Sequence, residues 1–566
     1  MQNLIAKTST RLIAAALSGL MLVACFPRLH WRGLVWVACF PLLAALAVEK
    51  RLKHAFLLGY VCGAFFFAGS CYWFVTVMEF YGHLAPVLAV VVLILFVIID
   101  SIFFGGFGLA MGWAARRSPG WALALSPFLW MAMELARTYL VTGFPWNLLG
   151  YAVQAPGVRQ IASVTGVYGL SFLAVATSAL LAWVWISPRR ARAGLVLASW
   201  IGLLLIAQWR LAPPPAVAGK ELAILVQPNV PLDGPELDAW TPWRDATKLR
   251  ELVQFSVAEL AIQDSRFKIQ NPATPGAIQD SRSKNQNPAI ENRKSKIEIP
   301  AAVPAIQNPK SEIQNSEHPP LLIWAENPAP FFFTRDPIFH NAMVDMARQA
   351  HAIVIGNTII PVDAKGESIT NSAFTLDPDG REVSRYDKIH LVPFGEYVPG
   401  WALPGLVHKI TDEVGNFVPG SSYSVAQSPG GGIGVFICYE AIIPQLARKL
   451  VAGGAGVLVN ISNDAWYGES AAAYQHLEMA RLRAIENHRY LLRATNNGLT
   501  TLIDPYGRVL KEIPRYQQLA MPAYFNFETR QTFYTAHGDA FAWLCTAVAA
   551  VMLMLGSRSK KLEARS

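Results

Sequence analysis

The chain has 566 residues, 53% of them hydrophobic and only 15% charged, where an ordinary soluble domain carries about 25% charged residues. Its formal net charge of +9 would suit a nucleic-acid partner, but there is no RNP motif, zinc spacing or helix-turn-helix signal, and Lys and Arg gather at the ends of apolar segments, which argues for membrane topology and against nucleic acid. Of the six cysteines, Cys25, Cys39, Cys62, Cys71 and Cys545 lie in apolar runs and Cys438 stands alone in the polar part, so no disulfide framework is available.

A spanning helix needs about 20 mostly apolar residues. Seven candidate spans precede residue 212, near 10–26, 32–48, 54–80, 84–114, 120–142, 160–186 and 193–209, and an eighth lies near 539–556. The chain therefore divides into a transmembrane helical bundle over 1–212, an extracytoplasmic region over 213–538, and a last span with a basic tail over 539–566. Lys50, Arg51 and Lys53, then Arg116 and Arg117, then Arg189, Arg190 and Arg192, and finally Arg558, Lys560 and Lys561 follow the even-numbered spans. The positive-inside rule puts these exits and both termini in the cytoplasm and residues 213–538 on the periplasmic side of a bacterial inner membrane. Arg28 and Arg32, between spans one and two, are the exception. "LVAC" at 22–25 has the look of a lipoprotein signal-peptide box, but a retained first span is expected. The loop "TGFPWNLLGYAVQAPGVRQIA" is rich in Gly, Pro and aromatics; Trp146 and Tyr151 are expected as interfacial anchors, with the border of a lipid access site as the alternative. Asp100 and Glu134 are the main ionisable residues within the spans, too few for a transporter.

In the polar region, "KELAILVQPNV" opens with a strand, and a turn and an amphipathic helix follow. Residues 261–318 form a low-complexity insert in which "AIQDSR" occurs at 261–266 and 277–282; it lacks a face able to bury a core and is expected to be disordered. "PPLLIWAENP" is predicted to be a strand ending in Glu326, "NAMVDMARQAHAIVIGNTII" a helix and strand, and "SAFTLDPDGREVSRYDK" a hairpin ending in Lys388. "GGIGVFICYE" reads as a strand reaching Cys438, with Pro444 in the first turn of the next helix. "AGVLVNISND" is a further strand, "AAYQHLEMARLRAIENHRYLLRATNNG" a long helix stopped at Gly498, and "LTTLIDPYGRVLKEI" a hairpin. Such a mixture is an α/β layered domain.

Glu326, Lys388 and Cys438 each follow an apolar strand, and residues just past the carboxyl ends of strands line the crevice of α/β folds. Together they make an acyl-transfer set: a carboxylate to take the thiol proton, a thiolate to attack a carbonyl, and an ammonium to stabilise the oxyanion. A helix start after Cys438 is expected to favour the thiolate.

This order of Glu, Lys and Cys resembles the nitrilase superfamily. "YDKIHLVPFGEYVP" at 386–399, "CYE" at 438–440, "SNDAWYG" at 462–468, "ATNNGLT" at 494–500 and "GFPWNLLGY" at 143–151 resemble, more specifically, the apolipoprotein N-acyltransferases, over nearly the whole chain outside about 261–318. The resemblance implies a nitrilase-like αββα sandwich attached to a multi-span α-helical transmembrane bundle of about eight spans, with no metal or organic cofactor. It makes Cys438 the nucleophile, Glu326 the base and Lys388 the oxyanion partner. Glu396 would support the site, and Tyr439 and Glu440 would shape the pocket, a helix cap being the other reading of Glu440. Trp324-Ala325-Glu326 stands where the family has Trp-Pro-Glu, and Trp240 and Trp243 compete for the family's arm tryptophan. The implied reaction moves a fatty acyl chain from a phospholipid, through a cysteine thioester, to the N-terminal amine of a diacylglyceryl-cysteine apolipoprotein. A membrane-tethered amidase or nitrilase acting on a small soluble substrate is the alternative.

Overall fold

The computed structural model describes residues 7–80, 84–141, 143–231, 246–270, 318–326, 332–363, 368–393, 395–397 and 416–563. Trp240, Trp243 and residues 271–317 of the insert lie outside the described residues, while residues 261–270, expected to be disordered, continue a helix that ends at Gln270. The first third is helical: α1 (Thr8–Cys25), α2 (Phe40–Val48), α3 (Leu52–Ser70), α4 (Trp73–Phe80), α5 (Pro86–Ala115), α6 (Pro119–Tyr139), α7 (Pro156–Arg159), α8 (Ala162–Ile186) and α9 (Arg190–Arg210). Among the described residues five helices, α1, α3, α5, α8 and α9, are long and apolar enough to cross a membrane. The remaining expected spans differ for local reasons. The second starts as a 3₁₀ turn and is short, the fifth, α6, carries Glu134 and Arg137, and the apolar part of the eighth, Ala540–Leu555, is short. Helices α3 and α5 meet backbone to backbone, because a Cβ on Gly59 or Gly108 would collide with the main chain of Phe104 or Ala55.

The soluble part carries two sheets. In the first, β13 (Leu519–Phe525), β1 (Glu221–Gln227), β2 (Leu321–Trp324), β3 (Ile353–Pro361), β4 (Ser368–Leu376) and β5 (Glu382–Asp387) lie in that order, with β6 (Asn416–Phe417) also on β4. In the second the order is β12 (Val509–Ile513), β11 (Thr500–Ile503), β10 (Leu491–Thr495), β9 (Ala455–Ser462), β8 (Gly431–Ile437) and β7 (Val425–Ser428). Strands β1, β2 and β3 are parallel, as are β8, β9 and β10. Buried on both faces, these strands read as continuous apolar runs. Ala223 and Leu225 face Val435, Ile437, Val457 and Val459 between the sheets, whereas Ile224 and Val226 face outwards. The outer layers are α10 (Thr247–Gln270) and α11 (Pro337–Ala350) on the first sheet and α12 (Pro444–Ala452) and α13 (Ala472–Asn487) on the second. This is the expected αββα sandwich. The chain then closes with α14 (Phe533–His537) and α15 (Ala540–Glu563).

One element departs from expectation. The long helix through Gly498 ends instead at Asn487, where His488 takes φ 50°, and "LLRAT" becomes β10, parallel to β9. Strand wins because Leu492 and Ala494 fill the space between the sheets while Leu491 packs under the outer helices. Gly498 is not a helix stop; a Cβ there would strike the side chain of Asp464.

Helix α13 also joins the two parts of the molecule. Met479, Leu482 and Ile485 belong to the same apolar core as the bundle helices, together with Tyr439, Ile442 and Tyr467. Gln475 Nε2 donates to the carbonyls of Pro27 and Ser70, each at 3.2 Å, and Glu478 Oε2 accepts from Arg159 at 3.2 Å and Gln154 at 3.0 Å. Helix α8 kinks at Gly166 (φ 64°), and the Val167 N–H freed there donates to Glu486 of α13 at 3.0 Å. The turns after α1 and α3 and the loop after α6 thus meet the soluble domain. The opposite end gathers Arg11–Glu49 at 2.5 Å, Arg51–Glu49 at 3.1 Å and Arg116 Nε to the Lys50 carbonyl at 3.1 Å.

Candidate active site

Glu326 lies two residues past the end of β2, Lys388 directly after β5 and Cys438 directly after β8. The sheets face each other, so three strand ends bring these side chains together, and all three are buried. Lys388 Nζ is 2.8 Å from Glu396 Oε1 and 3.7 Å from Glu326 Oε1. Asn371 of β4 bridges the two acids, its Nδ2 donating to Glu326 Oε1 at 2.9 Å and to Glu396 Oε1 at 3.1 Å. The second oxygen of each acid binds backbone: Glu326 Oε2 accepts from Asn463 N at 2.9 Å, and Glu396 Oε2 from Val392 N at 2.8 Å. Glu326 is thereby pinned on both oxygens, although alanine precedes it.

Cys438 begins a 3₁₀ turn, Cys438–Ile442, at φ 50°. A left-handed conformation costs a non-glycine residue roughly 1–2 kcal/mol, so the turn must be held by its surroundings. The expectation of a low thiol pKa fails. Burial pushes the Cys438 thiol up and the Glu326 charge pushes it further, against the opposing pull of Lys388 and a hydrogen bond with Ser462. Burial would lower the Lys388 pKa, but Glu396 and Glu326 override it and raise it, so the side chain is an ammonium at neutral pH. The resting site thus combines a neutral thiol, a cation and two acids. It can deliver a thiolate only when a base removes the proton during attack.

Glu440 is fully buried, and both of its oxygens accept hydrogen bonds. Its Oε2 accepts from Ile437 N at 2.8 Å, which caps the turn. Its Oε1 accepts from Tyr386 Oη at 2.8 Å, Ile389 N at 2.7 Å and His390 N at 3.0 Å, tying the segment around Lys388 to the turn of Cys438. Burial pushes this carboxyl up to about 7, and its donors restrain it from going higher. Tyr439 points the other way, into the core of the bundle, and its hydroxyl has no hydrogen-bond partner among the described residues.

Sequence reasoning missed a second buried network behind Cys438. Asp464 accepts from Arg493 Nη2 at 2.8 Å on both oxygens and from Ser462 Oγ at 2.9 Å, while Arg493 also reaches Asn460, its register partner across β9 and β10. Burial opposes the Asp464 charge, but the Arg493 guanidinium holds the carboxyl well below the usual range. The signal was present: Asn460 and Arg493 are polar residues inside largely apolar strands, where a buried polar group needs a partner. Trp146 and Tyr151 are not interfacial anchors. Both are 1% exposed; the Trp146 indole Nε1 donates to Gln475 Oε1 at 2.8 Å, and the Tyr151 hydroxyl accepts from Arg483 at 3.3 Å.

Comparison with known proteins agrees with this architecture. Residues 325–523 match the carbon-nitrogen hydrolase family, and residues 18–180 match the apolipoprotein N-acyltransferase N-terminal domain. The chain is 34% identical to an apolipoprotein N-acyltransferase of Geobacter metallireducens, over 97% of this chain and 96% of that protein. It is 29% identical to one from Allorhizobium ampelinum, over 90% of this chain and 88% of that protein. Buried strand ends that gather a glutamate, a lysine and a cysteine, on a domain fused through its outer helix to a membrane bundle, therefore have full-length relatives, and the chain belongs to the apolipoprotein N-acyltransferase family.

Proposed function

We propose that the chain transfers a fatty acyl chain from a membrane phospholipid to the N-terminal amine of a diacylglyceryl-cysteine apolipoprotein, through a thioester on Cys438. The observation that carries this reading is the position of Cys438 between two apolar environments. Its own side chain belongs to the space between the sheets, and the next residue, Tyr439, packs into the core of the membrane bundle. A nucleophile at that boundary suits an ester whose acyl chain lies in lipid, and gives a small soluble amide no such advantage.

The steps follow from the groups present. As Sγ adds to the ester carbonyl, Glu326 takes the thiol proton, which compensates for the high thiol pKa. The oxyanion of the tetrahedral adduct is stabilised by the Lys388 ammonium. Collapse breaks the ester C–O bond; the leaving alkoxide takes the proton from Glu326 and departs as lysophospholipid. The apolipoprotein amine then adds to the thioester, Glu326 accepts an N–H proton, and the thiolate leaves and is reprotonated. Glu396 and Asn371 hold Glu326 and Lys388 in register, and Glu440 fixes the turn that bears Cys438. The pattern of Lys and Arg at the span exits supports a periplasmic site with both termini in the cytoplasm. The grouping of Arg11, Arg51 and Arg116 at the end away from the soluble domain agrees with that orientation.

Intact-protein mass spectrometry after incubation with a defined phospholipid tests the proposal. The expected result is a mass gain of one acyl chain, removed by hydroxylamine and absent in Cys438→Ala. A wild-type protein that forms no adduct yet hydrolyses small amides would instead be a tethered amidase.

A further inference from the structure

His476 of α13 is fully buried, and its Nε2 lies 3.0 Å from the carbonyl oxygen of Cys438. Across the ring, Nδ1 is 3.1 Å from Arg493 Nη2 and 3.1 Å from Asp464 Oδ1. Burial and the Arg493 charge hold the ring below its usual pKa, so it is neutral at pH 7. A neutral imidazole carries one proton. With that proton on Nε2 the ring donates to the Cys438 carbonyl, and Nδ1 accepts from the Arg493 guanidinium.

One face of the ring meets the membrane part, and the turn after β9 supplies the other contact. The Trp146 indole stacks on it at 5.9 Å and 23°, and Tyr467 meets it edge-on at 5.8 Å. Trp146 sits in the loop between α6 and α7, where Arg137 Nη2 donates to its carbonyl at 3.0 Å and its own Nε1 donates to Gln475, the residue before His476. A continuous run of contacts thus leads from the membrane loop, through an indole and an imidazole, to the main chain of a cysteine held at φ 50°. We infer that His476 is a positioning residue through which Trp146, and with it the membrane loop 143–148, sets the backbone of the nucleophile. The inference rests on the acyl-transfer reading for its kinetic readout.

The test uses the full-length protein in proteoliposomes. Two rates are measured: acyl-enzyme formation from a defined phospholipid, and alkylation of Cys438 by iodoacetamide, read on its own peptide. His476→Leu should slow acyl-enzyme formation on the order of a hundredfold at saturating phospholipid, the size expected of a misplaced reacting group, with the apparent KM unchanged. His476→Gln keeps a donor near the position of Nε2 and should recover about tenfold of that loss. Trp146→Ala should also lower the rate at saturation, and the double variant His476→Leu/Trp146→Ala should be no slower than the slower single, because both act on one contact path. Trp146→Phe retains a stacked ring and should remain close to wild type, which keeps the test open if Trp146→Ala does not fold. Multiplicative losses in the double variant would overturn the inference, as would a loss confined to KM or equal rates for His476→Gln and His476→Leu. If the wild type forms no acyl-enzyme, the acyl-transfer reading has failed; the same non-additivity in the alkylation rates then still supports the role of His476, and additive alkylation rates refute it.

Discussion

Replacing Lys388 by methionine keeps an unbranched stem of similar bulk and deletes the ammonium between two acids. Glu396 Oε1 is 2.8 Å and Glu326 Oε1 3.7 Å from Nζ, and both oxygens also bind the same Asn371 Nδ2. In Lys388→Met, two buried carboxylates would share one amide and no cation. Removing one partner of a buried ion pair costs about 3–5 kcal/mol. With about 2–4 °C of melting temperature per kcal/mol in a large domain, the expected fall is about 6–20 °C at pH 8. The pH dependence identifies the cause. Two carboxylates that cannot both ionise raise the pKa of one of them. Its folded-state value then exceeds the unfolded one, so the variant binds a proton more tightly when folded and regains stability as the pH falls through the raised value. Melting of the full-length protein, followed by intrinsic fluorescence at pH 8 and pH 5, should show the gap to wild type narrowing in acid. The double variant Lys388→Met/Glu396→Gln, which removes the like charge, should regain most of the gap at pH 8. A Lys388→Met protein melting within about 2 °C of wild type at pH 8, or a gap independent of pH, would refute the reasoning.

Three other outcomes are expected. Glu440 is pushed by burial to about 7 from 4.5, so its contribution to stability is fully present below pH 4.5 and is lost as the pH rises through 7; that part of the melting-versus-pH slope should vanish in Glu440→Gln. Gly498→Ala should destabilise the domain by about 1–3 kcal/mol in the same melting assay, because its Cβ would press on the buried carboxylate of Asp464. Asp464→Asn should cost about 3–5 kcal/mol by leaving Arg493 buried without its anion, and a loss under about 1 kcal/mol would mean that the pair contributes little.

The layered fold and the meeting of Glu326, Lys388 and Cys438 were legible because each side chain sits at the end of an apolar strand, a pattern written in consecutive residues. The Pro-Asp-Gly hairpin was legible for the same reason. What escaped depends on partners distant in sequence. Whether "LLRAT" continues a helix or starts a strand is decided by β9, against which it pairs, and nothing local to the segment reports that neighbour. Trp146 beside Pro145 has the composition of an interfacial anchor; only the docking of α13 turns it into a buried contact of Gln475 and His476. The acidity of Cys438 was misjudged because the helix start is a local feature, whereas the burial and the Glu326 charge that outweigh it come from the opposite sheet.

The kink of α8 at Gly166 has a consequence for how the molecule is made. Ribosomes release the bundle helices first, and the segment that becomes α13 emerges some three hundred residues after that kink. Until it arrives, the N–H of Val167 lacks the carboxylate of Glu486, and the carbonyls of Pro27 and Ser70 lack the amide of Gln475. A bare amide within hydrocarbon costs several kcal/mol, so the half-made bundle has reason to stay ajar and wet at that end. Closure then waits on a later part of the same polypeptide. Neither half is an interchangeable cassette: a chimaera that grafts a foreign hydrolase onto this bundle must bring its own acid for α8 and its own amide for the turns after α1 and α3, or leave the seam open.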